Sequence, residues 1–337
     1  MADAAWPVGT SPVVSVVCWS YNHEAYIAQA IESFLAQETS FPVEIIIHDD
    51  ASTDRTADIA RSYGEKYPRL FRNIIQPRNL LQNGRDINEP PYAHARGKYI
   101  AICEADDYWT REDKLQKQVD FLECHPECAG VFHRGHAVDA RRNPIPFVWD
   151  NLDYHEAYDQ SECIFDLRSG YPTAALVFRG SALRFPFPRY FLESPTDYTT
   201  DVMITESGTL GFLDFDGSAY RQHAGGTWST LKLSEMQRCG VRRLISLYRD
   251  GALRRRHPRL LAHLIRQLDV AWWHHFIDEG SGWPGWFAAL ALVPRLLLPR
   301  NLALCLSWFL RGDCPVLFKA RDLIRENVRN LSKAFRP

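Results

Sequence analysis

The apolar run Tyr99-Ile100-Ala101-Ile102 leads through Cys103 into Glu104-Ala105-Asp106-Asp107, and a strand ending in carboxylates constrains this chain more than any other feature. Adjacent acids at the end of a buried strand are costly unless something cationic neutralises them. A hard divalent ion, held by one or two carboxylates while it grips substrate phosphates, supplies that charge. The simpler alternative is a solvated turn whose acids cap a helix starting near Arg111.

A second cluster repeats the pattern. Val43-Glu44-Ile45-Ile46-Ile47 reads as another buried strand, and it runs into His48-Asp49-Asp50-Ala51-Ser52-Thr53-Asp54. Two parallel strands of this kind bring their acids side by side along the carboxyl edge of one sheet, where open α/β sheets bind ligands. One pair suits recognition of a nucleotide, the other a metal on its diphosphate.

The pattern around these strands is that of a doubly wound α/β fold. Val13 to Val17 suits a central strand, and Ile27, Ala30, Ile31, Phe34 and Leu35 repeat at helical spacing after it. A helix is expected from about Asp54 to Tyr67, introduced by the capping residues Ser52, Thr53 and Asp54, then a strand over Asn73 to Gln76. Pro77 to Pro91 reads as a long polar loop, and Leu115, Val119 and Leu122 as a helix face ending before Pro126. From Ala129 to about Gln222 short strands are expected, the clearest at Ala174 to Phe178 and Gly217 to Tyr220. A helix near Thr196 to Ser207 interrupts them.

Net charge of -2 hides an asymmetry. Residues 238–337 hold 18 Lys and Arg against 7 Asp and Glu, a balance of +11, which leaves 21 against 34, or -13, for residues 1–237. The acidic part carries the catalytic-looking clusters, and nothing in it suggests a nucleic-acid partner. Beyond Ser234 the chain turns helical and basic, and Trp283 to Phe318 is strongly apolar but divided by Pro294, Arg295, Pro299 and Arg300. Those pieces fall short of the roughly 20 apolar residues a spanning helix needs. Attachment of residues 283–318 to a membrane surface and a folded helical subdomain or dimer contact both fit.

Eight scattered cysteines, with no basic-then-apolar leader in Met1 to Thr10, imply a reduced, cytoplasmic setting, with the protein soluble or peripheral on the inner face of the cytoplasmic membrane. A zinc site from Cys124, Cys128, His133 and His136 is disfavoured, because strand alternation points its members to opposite faces.

Val14 to Val17 with Tyr21-Asn22, then Ser33 to Gln37, then Glu44 to Asp54, then Gly97 to Ala101, and finally Glu104-Ala105-Asp106-Asp107-Tyr108-Trp109 with Lys114 to Val119 together resemble family 2 glycosyltransferases of the GT-A fold. The resemblance runs in order over residues 12–135, continues more weakly through Thr196-Asp197-Tyr198 and Tyr220 to Trp228, and stops near residue 250. It implies a Rossmann-like mixed sheet flanked by helices over residues 12–232, after a flexible start at 1–11. Residues 12–125 form its nucleotide-sugar half, 126–232 its acceptor half, and 233–337 a basic helical carboxyl-terminal region.

The activity implied is transfer of a hexosyl group from a nucleoside diphosphate sugar to a hydroxyl of a glycan or lipid-linked acceptor, with inversion. The setting is surface polysaccharide or glycolipid biosynthesis. By the same resemblance Asp50, with Asp49, recognises the base and ribose; Ser20, Tyr21, Asn22 and Glu24 line that pocket, and Glu104, Ala105 and Asp106 occupy the acidic motif. UDP is favoured because Asp50 suits a pyrimidine imide N–H, although thymine presents the same group. Asp106 is the expected direct ligand of Mn²⁺ or Mg²⁺. Glu104, a methylene longer than the family's usual Asp, joins it directly or acts through water or ribose. His223 completes the metal or diphosphate site, and Arg221 serves the diphosphate. Asp197 is the implied general base, with Asp201 one turn later as its rival.

Elementary chemistry asks for the same parts, since a diphosphate leaving group accumulates charge and an attacking hydroxyl needs a base. A sugar-nucleotide nucleotidyltransferase would use a similar sheet, but Val17 to Asn22 holds no glycine or basic residue for a phosphate loop. A catalytically silent sugar- or nucleotide-binding module would keep the sheet and lose the acids.

Overall fold

The computed structural model describes residue 7 and residues 9–167, 170–226 and 228–279. In chain order its elements are β1 (Val14–Ser20), α1 (Ile27–Leu35), β2 (Val43–Asp49), α2 (Thr56–Lys66), β3 (Phe71–Ile75), α3 (Glu89–His94), β4 (Tyr99–Ile102), β5 (Tyr108–Trp109), α4 (Lys114–Cys124), β6 (Cys128–Asp139), β7 (Pro144–Ile145) and β8 (Ala157–Tyr158). There follow α5 (Gln160–Glu162), β9 (Val177–Arg179), α6 (Arg189–Glu193), α7 (Asp197–Ile204) and β10 (Thr209–Gln222), then α8 (Leu233–Arg249), α9 (Gly251–Arg256) and α10 (Leu260–Glu279).

Among the described residues these strands form one mixed sheet in the order β3-β2-β1-β4-β9-β6-β10-β5, with β7 and β8 on its margin. This is a GT-A-like α/β fold. The first four members run parallel. Parallel strands are covered on both faces, which is why β1, β2 and β4 are almost uninterrupted apolar runs. Helix α1 lays Ile27, Ala30, Ile31, Phe34 and Leu35 on that sheet, as their spacing predicts. Burying a side chain the size of Phe34 contributes about 2 kcal/mol. At the amino end of the sheet, Arg96 grips the buried Glu44 carboxylate through Nε at 2.9 Å and a terminal nitrogen at 2.7 Å, while Ser15 Oγ donates to its other oxygen at 2.6 Å.

Three local expectations change. The loop expected over 77–91 holds through residue 88 but ends in α3, because Asp86 accepts the backbone N–H groups of Asn88 and Glu89 and so starts a helical turn. Residues 173–175 form a 3₁₀ turn ahead of β9 rather than the start of a strand. Instead of several short strands, β6 and β10 are 12 and 14 residues long and pair in parallel. Register shifts between Leu213 and Ser218 interrupt the alternation of β10, so its two halves look like separate strands in sequence.

The chain divides between residues 230 and 231 into two units. In the second, Asp250 caps α9 by accepting from the N–H groups of Ala252 and Leu253, and Arg254, Arg255 and Arg256 fill its last turn, where cations complement the helix dipole. No helix among the described residues is long and apolar enough to cross a membrane. The expected interfacial segment 283–318 lies outside the described residues.

Candidate active site

Strand register brings the two acidic clusters together. Ser20 is the residue opposite Asp49 across the β1–β2 pairing, and Ser20 Oγ donates to Asp49 Oδ1 at 3.2 Å. On the other side of β1 the chain beyond β4 stays in register: Cys103 N–H donates to Val17 O at 3.1 Å and Ala105 N–H to Trp19 O at 2.9 Å. The end of β1 is therefore flanked by Asp49-Asp50 on one side and Glu104-Ala105-Asp106 on the other.

Most of the expected nucleotide-pocket residues also hold this edge in shape. The fully buried Asp49 accepts from Ser52 N at 2.9 Å and Ser52 Oγ at 2.5 Å. Asp50 accepts from Leu80 N at 2.6 Å and Leu81 N at 3.1 Å, which ties residues 79–84 to the end of β2, and Gln82 donates to the Tyr21 hydroxyl at 3.2 Å. Asn22 adopts φ 57° and takes Thr53 N on its side chain at 2.7 Å, while Glu24 accepts from Arg55 N at 3.0 Å. Ala105 is wholly buried, so it contributes backbone and packing.

The acids after β4 differ sharply in environment. Burial, with Asp106 and Asp197 adding like charge, pushes the Glu104 carboxyl up to about 8, and its Oε2 has no hydrogen-bond partner. Burial likewise raises Asp107 well above the carboxylate range, where it accepts the backbone N–H of Arg221 at 2.8 Å. For Asp106 burial alone would also act upward, but the hydrogen bond from His223 and the proximity of His23 hold it below its ordinary value. His223 Nε2 stands 3.0 Å from Asp106 Oδ2 and His23 Nε2 3.7 Å from the same oxygen.

Among the described residues, the one group of three His, Cys, Asp or Glu side chains whose ligand atoms gather is His23, Asp106 and His223, all within 4.8 Å of one another. Imidazole and carboxylate donors fit a divalent cation. Glu104, expected beside Asp106 as a ligand, is not in that group, and His23 was not singled out in the sequence although Asn22 and Glu24 on either side of it were. Its signal was a histidine in the turn directly after an apolar strand. Cys124, Cys128, His133 and His136 do not gather: His133 is buried with Nδ1 on Arg134 O, and His136 pairs with Asp216.

Arg221 sits behind the acids. It is 3% exposed, its Nε donates to Asp106 O at 2.8 Å, a terminal nitrogen donates to Gln29 at 2.7 Å, and its guanidinium lies over the rings of Tyr26 and Tyr108 at 4.8 and 5.2 Å. This geometry makes it a positioning residue for the Asp106 loop rather than a free diphosphate ligand.

Asp197 and Asp201 begin the same helix in unlike settings. Thr196 and Thr199 form a reciprocal cap at the start of α7, and Asp197, half-buried in its first turn, lies within electrostatic reach of Glu104. Asp201 is 1% exposed, accepts from the Tyr171 hydroxyl at 2.5 Å, and is raised well above the carboxylate range by burial. A buried acid of that kind is poorly suited to take a proton from an incoming hydroxyl.

A mixed sheet whose carboxyl edge gathers acids beside His23, Asp106 and His223 is that of a GT-A-like α/β protein. Consistently, glycosyl transferase family 2 matches residues 15–183, and the chain belongs to that family. The uncharacterized protein Rv1520 of Mycobacterium tuberculosis is 37% identical over 221 residues, covering 64% of this chain and 60% of that protein. The Escherichia coli UDP-Glc:alpha-D-GlcNAc-diphosphoundecaprenol beta-1,3-glucosyltransferase WfaP is 34% identical over 111 residues, 33% of this chain and 41% of WfaP. Among solved structures, TarS 1–349 of S. aureus in complex with UDP-GlcNAc superposes with a TM-score of 0.58 at 17% identity, over 93% of this chain and 92% of that one. The mannosyltransferase PcManGT of Pyrobaculum calidifontis, in complex with GDP-Man and Mn²⁺, gives 0.53 at 17% identity, over 96% and 88%. At such identities the two structures speak for the fold.

Proposed function

We propose that this chain is an inverting, divalent-metal-dependent glycosyltransferase that moves a hexosyl group from a nucleoside diphosphate sugar, UDP favoured, to a hydroxyl of a glycan or lipid-linked acceptor. The observation that carries this reading is the flanking of β1 by Asp49-Asp50 and by Glu104-Ala105-Asp106, with His223 against Asp106 at 3.0 Å. The UDP-GlcNAc held by TarS and the diphosphoundecaprenol in the name of WfaP support the donor and acceptor classes. The +11 balance of residues 238–337 supports contact with an anionic membrane surface, where a lipid-linked acceptor resides.

In this mechanism Tyr21 and the 79–84 loop held by Asp50 cover the base, while Ser20 and Asn22 keep the end of β1 rigid beneath the diphosphate. Asp106 and His223 would hold Mn²⁺ or Mg²⁺, and such an ion would supply Lewis-acid neutralisation of the charge on the departing diphosphate. Asp197 accepts the proton of the acceptor hydroxyl as its oxygen bonds to the anomeric carbon. The carbon–oxygen bond to the nucleoside diphosphate breaks on the opposite face, so the anomeric configuration inverts. Glu104, buried beside Asp106 with Oε2 lacking a hydrogen-bond partner, is placed to hydrogen-bond the sugar or ribose.

The test is a thermal-shift series of nucleoside diphosphates with and without Mn²⁺, followed by a transfer assay with chelator and by NMR of the product's anomeric centre. Stabilisation by UDP that requires Mn²⁺, turnover lost in chelator and an inverted product are expected. Binding of no nucleoside diphosphate would overturn the enzymatic reading in favour of a silent module.

A further inference from the structure

We infer that His23 is a third protein ligand of the catalytic cation, giving a face of two imidazoles and one carboxylate that prefers Mn²⁺ over Mg²⁺. The inference rests on the proposed metal dependence and extends it to a residue outside the acidic motif. His23 lies in the turn between β1 and α1 with a side chain 15% exposed, and its Nδ1 has no hydrogen-bond partner. Its Nε2 is 3.7 Å from Asp106 Oδ2, beyond hydrogen-bonding distance. Nε2 makes no hydrogen bond to the protein and faces Asp106, which places it to take a cation, while the buried Nδ1 is left without a partner.

The backbone around His23 is fixed more firmly than a surface turn requires. Asn22 N donates to Ser52 Oγ at 2.8 Å, His23 N to Thr56 Oγ1 at 2.7 Å and Glu24 N to Asp54 Oδ2 at 3.1 Å. Tyr26 packs on the His223 ring at 4.6 Å, and the two histidine rings meet edge to face at 6.0 Å. His23 is thus aimed at the Asp106–His223 pair by bonds its own side chain does not make. Donor atoms within 4.8 Å of one another suit ligands that each stand about 2 Å from one ion and so about 3 to 4 Å apart. Mg²⁺ favours oxygen ligands and retained water, whereas imidazole donors suit later divalent metals and are accepted by Mn²⁺.

The experiment uses the full chain stripped of metal and titrated with Mn²⁺ alone and then with UDP present, the free ion being read by electron paramagnetic resonance. Wild type, His23→Ala, His23→Leu and Asp106→Ala are compared, and pulsed measurements count nitrogen couplings to bound Mn²⁺. Wild type is expected to show couplings from two imidazoles, and His23→Ala one, with Mn²⁺ affinity lowered at least about 10-fold and the preference over Mg²⁺ reduced. Metal-free His23→Leu is expected to melt at or above the wild-type temperature, since it removes an unpartnered buried polar group, yet to gain little from Mn²⁺. If both His23 variants bind Mn²⁺ like wild type while Asp106→Ala does not, the role of His23 is overturned and the metal reading stands. If wild type binds no Mn²⁺ with or without UDP, both fall.

Discussion

The backbone N–H of Arg221 donates to the buried carboxylate of Asp107 at 2.8 Å, joining the end of β10 to the acidic turn after β4 across 114 positions of sequence. The same residue's guanidinium holds Asp106 O and Gln29, so one side chain sets where Asp106 stands. Arg221→Gln keeps the backbone bond but strips these contacts and the stacking on Tyr26 and Tyr108. We expect a stability loss of roughly 3 kcal/mol in urea unfolding, together with weaker Mn²⁺ binding. A loss below about 1 kcal/mol with unchanged metal affinity would show that Arg221 does not organise the site.

Asp197 and Asp201 are separable by kinetics. Asp197→Asn is expected to leave the apparent affinity for donor unchanged and to lower kcat by about 100-fold or more, the size of a lost general base. Asp201→Asn, at a position shut from solvent, should change kcat little at neutral pH. The reverse pattern would move the base to Asp201.

Asp201 also predicts a pH dependence of folding. Its carboxyl is raised well above 3.8 by burial, so between 3.8 and its folded value the native chain keeps a proton that the unfolded chain releases. Stability from this group is therefore complete below about 3.8 and is lost as pH rises, at no more than about 1.4 kcal/mol per pH unit. Asp201→Asn removes that slope. In urea unfolding followed from pH 4 to 8, the variant should gain on the wild type with rising pH, and parallel curves would contradict the assignment.

The basic carboxyl-terminal part is testable by cosedimentation with vesicles. The full chain should bind vesicles containing anionic lipid, more weakly at high salt, and deletion of residues from about 283 onward should reduce binding. A truncated chain that cosediments as well as the full one would place attachment elsewhere.

The apolar runs of β1, β2 and β4, and the spacing of Ile27, Ala30, Ile31, Phe34 and Leu35, determined by themselves that this chain builds a parallel-centred α/β sheet. They do so because burial on both faces and the period of a helix are written directly into residue order. The acids ending two of those strands likewise marked the edge that carries the site. Only the tertiary structure decided which side chains meet there. His23 and His223 reach Asp106 from 83 and 117 residues away, Arg221 turns out to brace the acids from behind, and Asp201 is sealed against Tyr171 while Asp197 stays accessible. Local pattern reports the face on which a residue lies, whereas convergence on one atom depends on register, on the bulges of β10 and on turns fixed by hydrogen bonds between distant segments.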